Sequence, residues 1–144
     1  MDSLTDLVLD LTQQISINAA SGDVWKTLVH RMSAGSCTSE GTPMPLVLEE
    51  WPGGRWFRDL GQNQGHLWGL VQVIKPPALL EIQGPLFMSY AVTGHVQFRV
   101  VPSAEGCSLT IRHQAVGMID AEHRAGVSMG WQAMLDNVKS ASES

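Results

Sequence analysis

Two-residue alternation near the end of the chain is the feature that most restricts its fold. Leu109, Ile111, His113 and Ala115 alternate with Thr110, Arg112 and Gln114. Just before them, Met88, Tyr90, Val92, Gly94, Val96, Phe98 and Val100 share one parity, while Thr93, His95, Gln97 and Arg99 take the other. A side-chain period of two puts one set on a buried face and the other in water, the signature of antiparallel strands. A turn at Pro102–Gly106 joins the two runs. Then the period changes. Asp120 is placed to cap a helix reaching about Ser140, whose apolar stripe is Val127, Trp131, Met134, Leu135 and Val138. A sheet with one apolar face needs a cover, and a ~20-residue helix spans about 30 Å, the width of such a sheet.

The same alternation opens the chain. Leu7, Leu9, Leu11, Ile15 and Ile17 are apolar, Gln13 is the exception, and Asp10, Thr12, Gln14, Ser16 and Asn18 between them are polar. Ser21 is the expected N-cap of a helix carrying Val24, Trp25, Leu28, Val29 and Met32, with its end near the left-handed position that Gly35 suits. Ser36–Pro45 is a loop. Short strands are expected at 46–51, 55–60, 66–74 and 79–83, punctuated by Pro52-Gly53-Gly54, Gly61–Gly65, Pro76-Pro77 and Gly84-Pro85. The fold class is α+β: one domain over residues 1–144, with about 6–7 antiparallel strands curved around the long C-terminal helix and short helices after the first strand.

Composition narrows the function. The length of 144 residues suits one domain. With 16% charged and 44% hydrophobic residues, the chain can build a core. Nine Lys plus Arg against 14 Asp plus Glu give a net charge of −5, which argues against a nucleic-acid binder. No apolar run approaches the ~20 residues of a membrane span. The opening MDSLTDLVLDL has acids where a signal peptide has bases. Cys37 and Cys107 are isolated, which fits a reducing, cytoplasmic setting.

Several short motifs then occur in order: Ile15-x-Ile17-x-Ala19-x(4)-Val24-Trp25, Pro52-Gly53-Gly54-Arg55-Trp56, and Gly69-x-Val71-x-Val73-Ile74-x-Pro76-Pro77-x(2)-Leu80. Leu109-Thr110-Ile111-Arg112-His113 and Gly130-Trp131-x(3)-Leu135 complete the series. Together, from Asp6 to Val138, they resemble the START-like (SRPBCC) helix-grip superfamily. The chain is most similar to the branch named after the C-terminal domain of the Hsp90 ATPase activator, which also holds polyketide-cyclase-like proteins. The resemblance implies a deep cavity between sheet and C-terminal helix, used by different relatives for apolar molecules. It does not imply one activity, because this fold hosts many.

The candidate site residues follow from parity. His113 and Gln13 sit on otherwise apolar faces, and burying a polar group unpartnered costs roughly 1–3 kcal/mol. Each therefore needs a core hydrogen bond or a wet cavity where it anchors a ligand. Met88 and Tyr90 follow the inward parity, and with Val127, Gly130, Trp131 and Met134 they are the candidate walls. Gly126-Val127-Ser128-Met129-Gly130 matches the G-x-S-x-G elbow, but no strand precedes it and no histidine follows Ser128, so it is a chance match. Glu49 and Glu50 are adjacent in a strand and point to opposite faces. His66, His95 and His113 lack metal-ligand spacing, so no metal and no cofactor are expected. Trp68 shares the parity of Gln72 and reads as an outward aromatic, suited to a homodimer or partner contact. The leading reading is a cytoplasmic module that encloses an apolar or amphipathic small molecule, with no catalytic residue. The alternatives are a polyketide cyclase- or lyase-like enzyme using His113 as acid or base, and a chaperone (Hsp90) interaction module.

Overall fold

The computed structural model describes residues 4–144; Met1–Ser3, part of the acidic opening, lie outside the described residues. A 3₁₀ turn at Leu4–Leu7 leads into strand β1 (Val8–Ile17) and helix α1 (Ser21–Arg31). There follow β2 (Val47–Leu48), β3 (Arg55–Gly61), β4 (Gln64–Lys75), β5 (Leu79–Gln83), β6 (Val92–Ser103), β7 (Gly106–Gly117) and helix α2 (Ala121–Glu143). The strands form one antiparallel sheet in the order β1-β7-β6-β5-β4-β3-β2. The first strand thus pairs with the last, from Val8↔Val116 to Ile17↔Cys107. Curved sheet and long C-terminal helix together make the α+β, helix-grip architecture that the sequence pattern calls for.

Register decides which side chains face α2. Phe98 pairs with Ile111 and Val100 with Leu109, and all four are buried. Val127, Trp131, Leu135 and Val138, spaced four, four and three residues apart, are the buried residues of α2 and close over them. Each such side chain contributes roughly 1.5–3 kcal/mol on burial. From α1, Val24, Trp25 and Leu28 join the same core. Among the described residues, no helix is long and apolar enough to cross a membrane.

Local details differ from expectation for physical reasons. The N-cap of α1 is Ala20, with no side-chain cap, and Ser21 is the first helical residue. The Ser21 hydroxyl instead meets the Cys107 thiol, whose pKa burial pushes up. Gly35 is not left-handed; it leaves room for the His30 ring, which a Cβ there would strike. The strand expected at 46–51 keeps only two residues, because the chain folds back in a turn where Gly54 N–H donates to Trp51 O at 2.8 Å. β6 begins at Val92, so Met88 and Tyr90 belong to the β5–β6 connection rather than to a strand.

Candidate ligand cavity

Two irregularities of the sheet build the cavity. In β3 and β4, Trp56 pairs with Gly69 and Phe57 with Leu67, leaving Trp68 as the extra residue of a bulge. The bulge reverses its parity. Trp68, expected to point outward, turns inward and meets Trp56 edge-on with ring centroids 5.1 Å apart. The second irregularity is Leu86, a left-handed residue with φ of 58°, rare for a side chain of this kind. Its N–H donates to Trp68 O at 2.8 Å. The turn it makes sets Phe87 against Trp68, centroids 6.2 Å apart.

These three rings face a cavity of about 480 Å³. The segment from Ser36 to Leu46 and the end of α1 form one side, and α2 from Glu122 to Asn137 forms the other, a rise of about 22 Å along the helix. Gly126 and Gly130 both line it, and a Cβ built on either would meet nothing within 4 Å. Among the described residues, no three His, Cys, Asp or Glu side chains group as metal ligands.

Val127, Gly130, Trp131 and Met134 stand in the wall; His113, Gln13, Met88 and Tyr90 do not. His113 is fully enclosed in the core. Its Nδ1 accepts from Trp131 Nε1 at 3.1 Å, and since an indole only donates, the neutral ring carries its proton on Nε2. Burial lowers its pKa to about 4. Trp131 therefore does two things: its ring lines the cavity while its N–H is held by His113. Gln13 Nε2 donates to Ser128 O at 3.0 Å, tying β1 to α2. An acid–base role at His113 thus lacks a route to the cavity. Met88 is buried, and with Tyr90 it borders a separate, more polar depression beside His66 and Pro85.

The candidate site residue that parity missed is His123. It lines the cavity, four residues before Val127 on the same helical stripe, and that spacing was the available signal. Asp120 caps α2 by accepting from Glu122 N and His123 N, at 2.8 and 3.3 Å. Tyr90 Oη accepts from Asp120 N at 3.0 Å and lies 2.8 Å from His123 Nδ1. The tautomer of His123 sets the direction of that bond: in the form with its proton on Nε2, Nδ1 accepts from the Tyr90 hydroxyl and Nε2–H is free for an occupant. Phe87 meets the same ring edge-on, at 5.4 Å and 90°. A histidine held on three sides beside an aromatic floor can offer one fixed hydrogen bond to an occupant.

Comparison with solved structures places this geometry. Protein CV1439 from Chromobacterium violaceum is 14% identical, with a TM-score of 0.72 over 94% of this chain and 97% of that one. The di-domain ARO/CYC StfQ from the steffimycin biosynthetic pathway is 18% identical, with a TM-score of 0.69 over 97% of this chain and 52% of StfQ. The chain has the helix-grip fold. The di-domain ARO/CYC BexL from the BE-7585A biosynthetic pathway is likewise 17% identical, with a TM-score of 0.67 over 96% and 51%. This helix-grip chain spans about half the length of StfQ and BexL. No protein-family model and no curated protein matches the sequence. At these identities the likeness is one of fold.

Proposed function

We propose that this helix-grip chain encloses a small apolar, ring-bearing molecule in the cavity beside α2. The observation that carries the reading is the cavity itself, about 480 Å³ and walled by Trp56, Trp68, Phe87 and Trp131. Protein interiors are otherwise close-packed, and small-molecule sites run from about 300 to 1,000 Å³ with mostly apolar walls. His123, fixed by Tyr90, would give the occupant its orientation. The two unpaired thiols, Cys37 and Cys107, support a reducing, cytoplasmic setting.

The test is a titration with the neutral hydrophobic dye Nile red, beside melting curves, on wild type and Val127→Phe. Val127 lines the cavity, so the larger ring fills space that an occupant would use. Dye binding by wild type, lost in a variant that melts near the wild-type temperature, is the expected result. A wild type that binds no dye, with a variant melting far lower, would mean that helix and sheet are tightly packed. A second reading is favoured by the Tyr90–His123 hydrogen bond: a cyclase-like enzyme in which His123, rather than His113, moves a proton on the occupant.

A further inference from the structure

Arg31 closes α1 and lines the cavity beside Ser36 and Cys37. Its Nε is fully enclosed and has no hydrogen-bond partner. No ion pair or hydrogen bond joins its guanidinium to any described residue, whereas Arg55 pairs with Glu49 and Arg112 with Asp10. Arg124 donates to the Val8 and Asp6 carbonyls. A guanidinium in an apolar cavity wall with no anionic partner is a charge that an occupant can pair with.

We propose that Arg31 receives a carboxylate, so that the occupant is an amphipathic acid: an apolar ring body ending in one planar, singly charged group. This inference rests on the cavity being a ligand site. The two Nη–H groups at the tip of a guanidinium form a parallel fork that matches the two oxygens of a carboxylate, while the enclosed Nε stays out of an occupant's reach. Charge selects the carboxylate over a phosphate. Arg31 is the one Lys or Arg among the described residues of the wall, and the wall also carries Glu122. One cation balances a carboxylate and leaves a phosphate dianion half-neutralised. The apolar body follows from the rest of the surface, where Trp56, Trp68, Phe87, Trp131 and Met134 leave little to bond a polar core. Arg31 comes from α1 and His123 from α2, so an acid held by one can show a second polar group to the other.

The experiment compares 2-naphthoate, 2-naphthamide and 2-naphthyl phosphate by calorimetric titration at pH 7.5, on wild type, Arg31→Gln and Arg31→Lys. Circular dichroism confirms that each variant is folded. Wild type is expected to bind the acid about tenfold or more tighter than the amide, with the phosphate weaker than the acid. Arg31→Gln removes the preference for the acid over the amide. Arg31→Lys keeps the charge but not the fork and retains part of the preference, which preserves the test should Arg31→Gln unfold. Equal affinity for acid and amide, a preference that survives in Arg31→Gln, or tightest binding of the phosphate would each overturn the proposal. The two readings fail differently. If the amide and Nile red bind without any preference for the acid, the role of Arg31 falls and the cavity stands. If neither these probes nor the dye bind, the cavity reading falls and this inference with it.

Discussion

The His113 ring is neutral because nothing in the core repays its lost hydration. Its pKa is about 4 in the folded protein against an ordinary 6.5. Below pH 6.5 the unfolded chain therefore binds a proton that the folded one refuses. The stability linked to this ring is whole above pH 6.5, drains away as pH falls, and is gone near pH 4. From 6.5 to about 4, at 1.36 kcal/mol per unit, the loss is about 3 kcal/mol. In His113→Gln, the amide oxygen can still accept from Trp131 Nε1 but does not titrate. Urea unfolding at pH 7 and pH 4.5 should show a smaller acid loss in the variant than in wild type. Equal losses would mean that other groups carry the acid sensitivity. At this scale the sequence was informative up to a point. Parity singles out His113 and Gln13 as polar side chains on apolar faces, and both reach α2. It could not say that their partners are Trp131 and Ser128, because those bonds cross 18 and 115 residues of chain.

Elements were legible where a period runs unbroken and illegible where one residue interrupts it. β5 lies where its flanking turns put it, and the stripe of α2 follows its spacing. Trp68 was misread because a bulge inserts one residue and so inverts every parity argument across it. Met88 and Tyr90 fall outside β6 because Leu86 leaves extended geometry and ends the alternation early, although Met88 is buried as its parity implies. The bulge and the turn at Leu86 bring Trp68 and Phe87 to the cavity wall. The glycines of α2 carry a related prediction. Gly126 and Gly130 sit in helical backbone, yet glycine costs about 1 kcal/mol relative to alanine there. Since an added Cβ would meet nothing within 4 Å, Gly126→Ala and Gly130→Ala should each stabilise the protein by roughly 0.5–1 kcal/mol. Their methyl groups would also narrow the cavity, so Nile red should bind more weakly. Chemical denaturation beside dye titration reads both effects. A variant less stable than wild type would show that the space beside α2 is already filled.

At the scale of the whole molecule, a cavity between one helix and the rest of the fold makes stability depend on what occupies it. A ligand that binds only the folded state adds about 2.7 kcal/mol at a hundred times its dissociation constant. For a domain near this size each kcal/mol raises the melting temperature by roughly 2–4 °C, so saturation with 2-naphthoate or Nile red should raise it by about 5–10 °C. Gly130→Leu supplies the control. Its side chain enters open space and replaces a poor helix former, so the unliganded variant should melt at or above the wild-type temperature. The ligand-induced rise should then be much reduced, because the cavity is occupied from within. The outer sheet face provides the competing explanation. Val47, Phe57 and Leu67 are cross-strand neighbours there, and Val47 and Leu67 are exposed. If probes bind that patch instead, the rise will persist in Gly130→Leu and disappear in Leu67→Ser. Scanning calorimetry of wild type and these two variants, with and without probe, separates the two sites, and a rise that only Leu67→Ser abolishes would remove the cavity as the place of binding.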